Sequence, residues 1–256
     1  MTGPLADSAA ARGSRPRTRV KLCGMFRDTD IDAVVSAAPD YCGFIVDFPK
    51  SHRSIGPERL AELVGLLRER SAAAPFIAAV GVFVDKPAAD VARIALECGL
   101  DAVQLHGHED ADFVRELKSL LGRRAREGSA YEGSAYEDSG YEDSAYGDSA
   151  YEDFARGVRI IQAFRIASAA DVERACESPA DTILLDSGQG SGETFDWSLA
   201  ATATRPFILA GGLGPDNVAE AVSQVAPWGV DMSSGVETGK LKDPVKMRAA
   251  VRAVRG

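Results

Sequence analysis

The segments Leu209-Ala-Gly-Gly-Leu213 and Gly229-Val-Asp-Met-Ser-Ser-Gly-Val-Glu237 decide the fold. Each is a short apolar strand that ends in small residues and leads into a helical stretch. Two such strands side by side offer backbone N–H groups, with a helix N-terminus behind each, to a phosphate. In a (β/α)8 barrel the phosphate sits in the loops after strands seven and eight. The chain therefore reads as one phosphate-gripping α/β barrel, and its 256 residues match the usual length of that single-domain fold.

Working outward from those segments, strand-like and helix-like stretches alternate. The expected strands are Arg19–Cys23, Tyr41–Val46, Phe76–Val84, Ala102–His106, Val158–Phe164, Thr182–Asp186, Phe207–Ala210 and Val230–Ser233. They are short Val-, Ile- and Phe-rich runs, as buried parallel strands should be. The expected helices are Asp28–Ala37, Pro57–Arg70, Ala88–Glu97, Asp110–Leu121, Ala169–Cys176, Asp196–Ala203, Pro215–Gln224 and Pro244–Val254. Eight βα units favour a closed barrel over an open, doubly wound sheet. No G-x-G-x-x-G follows the first strand, so the dinucleotide fingerprint is missing.

The regularity breaks once. Residues 127–151 read EGSAY, EGSAY, EDSGY, EDSAY, GDSAY and hold five of the six tyrosines. A period of five matches neither helix nor strand, so the tyrosines cannot line one face of either. Acidic residues, Ser and Gly without aliphatics bury too little surface to offset the entropy of ordering. The expectation is a disordered, low-complexity insertion over 126–155, between the fourth helix and the fifth strand; an acidic, Tyr-bearing interaction segment is the alternative. The net charge of −9 is located there, because residues 127–153 carry nine acidic and no basic residues among the 38 acidic and 29 basic of the chain. The remainder is neutral, with no basic excess to bind nucleic acid.

Residues 1–18 read as a flexible tail, with an Arg-bearing transit peptide as the other reading; they lack the apolar block of a secretory signal. No run approaches the roughly 18 apolar residues of a membrane span. Cys23, Cys42, Cys98 and Cys176 show no metal-ligand spacing, and with three scattered histidines no zinc site is expected. Unpaired cysteines of this kind point to a reducing, cytoplasmic setting.

Barrel chemistry is built at the C-terminal ends of strands. Cys23 ends the first and Asp186 the sixth, positions that can face one another across the mouth. A thiolate and a carboxyl make a workable base and acid, given a basic neighbour for the thiol and a raised pKa for the acid. The plainer readings are a small buried hydrophobe and a helix cap; the strand-end position favours the first pair. Arg53, after Phe48-Pro-Lys-Ser-His52, could grip a carboxylate bidentately or be a solvated surface arginine. Lys50 and His52 are weaker candidates. His106 is expected to bond a backbone carbonyl. Asp231 could turn inward to meet a sugar hydroxyl, and Arg165 has a similar outlook.

The ordered set Lys21-Leu-Cys-Gly24, Phe48-Pro-Lys-Ser-His-Arg53, Gly81-Val-Phe-Val84, Gln104-Leu-His-Gly107, Leu184-Leu-Asp186, Gly190-Ser-Gly-Glu-Thr-Phe-Asp-Trp197 and the two phosphate segments closely resembles the phosphoribosylanthranilate isomerase family of tryptophan biosynthesis, over roughly residues 19–254 apart from the insertion. The resemblance implies an Amadori rearrangement of N-(5-phosphoribosyl)anthranilate to 1-(2-carboxyphenylamino)-1-deoxyribulose 5-phosphate, the third step from chorismate. By motif it assigns Asp186 as general acid, Cys23 as general base, Arg53 as binder of the anthranilate carboxylate and Asp231 as a sugar contact. Gly211, Gly212, Ser234 and Gly235 match the phosphate grip, with Gly190 and Gly192 in the loop beside it. Such a reaction moves only protons and implies no metal or redox cofactor. The implied partner is a small phosphorylated substrate, with monomer or homodimer left open.

Leu22, Met25-Phe26, Asp47-Phe48 and Met232 depart from the family's usual residues beside the site. Two other barrel enzymes are the alternatives within this fold. The histidine-pathway isomerase uses an Asp where Cys23 stands, and indole-glycerol-phosphate synthase uses a Lys and a Glu with no evident match at the strand ends. A scaffold protein with a retired barrel is the alternative outside enzymes; the intact Cys23, Asp186 and phosphate turns speak against it.

Overall fold

Eight parallel strands close on themselves. They are β1 (Arg19–Cys23), β2 (Tyr41–Val46), β3 (Ala78–Phe83), β4 (Ala102–Leu105), β5 (Arg159–Arg165), β6 (Thr182–Asp186), β7 (Phe207–Ala210) and β8 (Gly229–Met232). Each pairs with its sequence neighbours, and β1 pairs with β8 on one side and β2 on the other. The computed structural model describes residues 17–128, 157–186 and 197–256. Helices α1 (Asp28–Ala37), α2 (Pro57–Arg70), α3 (Ala88–Glu97), α4 (Ala111–Gly128), α5 (Ala169–Cys176), α6 (Val218–Val225) and α7 (Pro244–Arg255) connect them. Among the described residues no helix is long and apolar enough to cross a membrane.

Strand alternation sorts the side chains into two cores. Tyr41, Val80, Ile161, Leu184 and Ile208 form one buried cluster inside the barrel. Leu22, Phe44, Phe83, Leu105 and Leu209 belong to a larger cluster between the strands and the helices. The same parity sends Lys21, Cys23, Gln104, Asp186 and Asp231 inward. Near-continuous apolar strands were thus the right signal, since both strand faces are covered.

One device recurs at the N-terminal rim. Asp40, Asp101 and Asp181 each precede an even-numbered strand and accept the backbone N–H of Val20 (2.8 Å), Ala79 (2.6 Å) and Ile160 (2.8 Å). Arg17, Arg68 and Lys118 pair with these three carboxylates. Before β8 the place is held by Trp228, whose carbonyl takes the Arg19 N–H at 3.0 Å while the Arg19 guanidinium lies 4.4 Å from its ring. This rim lies at the N-terminal ends of the strands, opposite the end at which barrels of this kind build their chemistry.

Several expected boundaries shift. α4 runs to Gly128, so residues 126–128 are helical rather than the start of an insertion. The rest of the repeat, the tail up to residue 16 and the loop 187–196 lie outside the described residues. Of the helix expected over 196–203, the described part shows one 3-10 turn at Ala200–Thr202. There the Thr202 hydroxyl donates to the Leu199 carbonyl (2.7 Å), which competes with helix continuation, and Pro206 follows. α6 starts at Val218 instead of Pro215. The Asn217 side chain accepts from Gly214 N and donates to Gly212 O, holding the preceding residues as a turn. Two short pieces were not expected: Ser54–Ile55, which extends the sheet beside β2, and an antiparallel pair, Glu237–Thr238 with Leu241–Lys242.

Candidate active site

Cys23 is the last residue of β1 and is buried. Gly24 follows with φ +85°, a conformation that favours glycine, and a Cβ there would lie 2.6 Å from Arg53 Cδ. The turn and the passage of the Arg53 stem both depend on that missing side chain. Across the ladder, Cys23 is in register with Gly43 of β2. A Cβ on Gly43 would stand 2.8 Å from the Cys23 Sγ, so this glycine makes the room in which the sulfur sits. Sequence alone does not single out Gly43, because its partner on β1 is not visible there.

Lys21 lies two residues earlier on the same inward face and is only 1% exposed. Its Nζ donates to Asp231 Oδ2 at 2.9 Å, across the β1–β8 ladder. The other carboxylate oxygen, Oδ1, is buried and has no hydrogen-bond partner among the described residues. Asp231 therefore faces inward as expected, anchored on one oxygen and able to accept a hydroxyl on the other. Burial works against the Lys21 charge, but Asp231 and Cys23 outweigh it and raise its pKa. For Cys23, burial dominates and pushes the thiol pKa up; Lys21 and Lys242 pull it down, while Asp231 opposes them.

Arg53 is positioned by the loop after β2, where Phe48 N donates to Ser54 Oγ (2.7 Å) and Arg53 N to Ser51 Oγ (3.2 Å). Its guanidinium does hold a carboxylate bidentately, and that carboxylate belongs to Glu237. Nε meets Oε1 and Nη2 meets Oε2, each at 2.6 Å. Lys242 Nζ, fully buried, stands 2.8 Å from Glu237 Oε1 and donates to the Ser233 carbonyl at 3.0 Å. Burial pushes the Glu237 pKa up, yet the hydrogen bonds from Arg53 and Lys242 prevail and bring it from 4.5 down to about 2. Lys242 is lowered by its own burial, against the pull of Glu237.

A depressed carboxylate stabilises the fold above its unfolded pKa, and that contribution is lost as pH falls through the folded value. Acid unfolding between pH 4.5 and about 2 should therefore draw on Glu237. Glu237→Gln should be less stable than the parent at neutral pH but show a shallower loss across this window. Equal slopes in denaturant titrations at several pH values would contradict the assignment.

Asp186 ends β6, and its side chain keeps 24% exposure. His106 Nε2 lies 3.5 Å from Asp186 Oδ2, and His106 Nδ1 is 2.9 Å from Gln104 Nε2. The expected ring contact to a carbonyl is thus replaced by side-chain neighbours, because alternation on β4 puts Gln104 and the following His106 on one side. Of the other candidates, Lys50 and His52 are both exposed, and His52 Nε2 lies 3.2 Å from the Lys240 carbonyl. Arg165 is the exposed last residue of β5, in register with Asp186.

The two glycine turns pack backbone on backbone. Gly211 (φ +99°) and Gly212 (φ +60°) leave β7 in left-handed conformations. A Cβ on Gly235 would fall 2.0 Å from the Leu213 carbonyl oxygen, so only glycine lets the turns meet. Ser234 and Gly235 open the 3-10 helix Ser234–Val236; phosphate sites of (β/α)8 barrels commonly use a short extra helix after the last strands. The Ser233 hydroxyl donates to the Cys23 carbonyl (3.1 Å), linking this turn to the end of β1. Gly190 and Gly192 lie outside the described residues.

A family model described as N-(5'phosphoribosyl)anthranilate (PRA) isomerase matches residues 15–128 and 144–253. It passes over residues 129–143, inside the pentad repeat. The chain is 37% identical to the N-(5'-phosphoribosyl)anthranilate isomerase of Acetivibrio thermocellus over 93% of its length and 96% of that protein's. With the enzyme of the same name from Chromohalobacter salexigens it shares 40% identity, covering 93% and 94%. Among solved structures, phosphoribosyl anthranilate isomerase from Thermotoga maritima superposes with a TM-score of 0.68 at 31% identity, covering 93% and 98%. A phosphoribosyl anthranilate isomerase in complex with reduced 1-(o-carboxyphenylamino)-1-deoxyribulose 5-phosphate gives a TM-score of 0.67 at 30% identity, covering 93% and 98%.

Proposed function

The chain belongs to the N-(5'-phosphoribosyl)anthranilate isomerase family, and we propose that it performs the Amadori rearrangement of tryptophan biosynthesis with Cys23 as general base and Asp186 as general acid. The observation that carries the assignment is the inward-facing set at the C-terminal ends of the strands. It comprises Cys23 beside the buried Lys21 and Lys242, Asp231 with one oxygen unpartnered among the described residues, and Asp186 reachable from the mouth.

The steps follow from these positions. The glycine turns of Gly211–Gly212 and Ser234–Gly235 hold the substrate phosphate, and Arg53 receives the anthranilate carboxylate. Asp186 gives a proton to the furanose ring oxygen as its bond to C1′ breaks, leaving a protonated Schiff base and a free hydroxyl. The Cys23 thiolate removes the C2′ proton, and the electron pair forms the C1′=C2′ bond of an enolamine. Protonation of C1′ and loss of the 2′-hydroxyl proton give the ketone, so the reaction ends with no net gain of protons. Asp231 accepts a sugar hydroxyl through its free oxygen while Lys21 fixes the other. Lys21 and Lys242 favour the thiolate once it forms, and the desolvated thiolate is a strong base because its pKa is raised.

Purified protein mixed with N-(5-phosphoribosyl)anthranilate should consume it, measured as loss of substrate fluorescence. Failure to turn it over, in a protein that folds, would dismiss the proposal. Arg53→Ala should act chiefly on KM, because a charge-assisted contact is worth about 1.5–3 kcal/mol. A variant that still discriminates against a decarboxylated analogue as strongly as the parent would remove Arg53 from that role.

A further inference from the structure

We propose that Glu237 is the positioning residue behind carboxylate specificity: it clamps one edge of Arg53 so that the other edge presents a second fork to the substrate, and buried Lys242 keeps the cluster cationic. The inference rests on Arg53 being the carboxylate binder.

A guanidinium carries five N–H donors in a fixed plane. Glu237 takes the Nε–H and one Nη2–H. Three donors remain, two on Nη1 and one on Nη2, and Nη1 with Nη2 forms a fork suited to a second carboxylate. An arginine without such a clamp must lose side-chain entropy when substrate binds; here that ordering is already in place. The Arg53 and Glu237 side chains are 17% and 6% exposed, so the clamp is shielded and its geometry is held.

Charge decides why Lys242 belongs to the arrangement. Arg53 and Glu237 alone would cancel, and Glu237 would repel an arriving carboxylate. Lys242, with no exposed side-chain surface, stands against Glu237 and leaves the trio one positive charge in excess, matching one substrate carboxylate. Its bond to the Ser233 carbonyl also ties the clamp to the phosphate turn. Glu237 supplies aim and Lys242 supplies sign.

The test compares kcat/KM for N-(5-phosphoribosyl)anthranilate with that for the aniline counterpart lacking the carboxylate. Glu237→Gln has one acceptor oxygen where the fork needs two, so preference for the carboxylated substrate should fall about 10- to 100-fold. The loss should lie in KM for that substrate, with the aniline counterpart changing little. Glu237→Asp keeps the charge but withdraws the fork by one methylene; it should lose the preference too, and it serves where the amide variant fails to fold. Lys242→Met should lose it through charge. An aspartate that restores full preference, or a Glu237→Gln enzyme with unchanged or tighter carboxylate recognition, overturns the proposal. If Arg53→Ala itself leaves the preference intact, the reading of Arg53 fails first, and that outcome is distinct from a failure at Glu237.

Discussion

Asp186→Asn and Cys23→Ser are each expected to lower kcat by about two to four orders of magnitude, the usual worth of a positioned general acid or base. KM should move far less, since neither group's main contribution is ground-state binding. The two variants should differ in their pH response. The Cys23 thiol is pushed above its ordinary pKa by burial, so the ionised fraction in the parent grows as pH rises from neutrality. The parent's kcat/KM should climb over that range, and the Cys23→Ser variant should lose the climb because a serine hydroxyl does not ionise there. Steady-state kinetics of the three proteins from pH 6 to 9 decide the matter. Near-parental turnover in Cys23→Ser would take Cys23 out of the chemistry.

The second large effect is expected at a residue with no reactive group. Gly43→Ala would place a methyl 2.8 Å from the Cys23 Sγ and 3.1 Å from its Cα. Neither strand can retreat, because Cys23 and Gly43 are ladder partners in a closed barrel. The sulfur must turn away, and a misplacement of about 1 Å in a reacting group costs on the order of 100-fold. The loss should appear in kcat, with phosphate and carboxylate recognition largely kept, because the glycine turns and Arg53 lie on other elements. A Gly43→Ala enzyme with parental kcat would show that the cysteine pocket has slack.

Much of the barrel was legible because its signals are local. Gly56-Pro57-Glu58 starts α2 where expected, and the apolar runs of β1, β2, β6 and β7 have the expected bounds. Boundaries failed where a side chain overruled propensity, as at Asn217 and Thr202, or where α4 continued through a polar, Arg-rich stretch. Cys23, Asp186 and Asp231 could be proposed from position alone, since a strand's last inward residue in a barrel faces the mouth. Lys21 could have been found the same way, because alternation places it on the face of Cys23. A carbonyl partner is the local expectation for the His106 ring, because sequence does not show which residue of β6 stands across from β4.

The sequence by itself determined the βα order, the strand ends that hold the candidate groups, the paired glycine turns and the pentad repeat set apart from them. These depend on periodicity, turn residues and composition, which act over a few residues. Only the tertiary structure decided what stands next to what. Glu237 reaches Arg53 from 184 positions away, and Lys242 is its ladder partner in a short hairpin whose polar sequence looks like solvent-facing loop. Gly43 reads as a weak spot in a strand until Cys23 is seen beside it. Barrel closure brings distant strand ends within a few ångströms, and at that range burial and Coulomb interaction set the charge of each group. Neither has a local sequence signature.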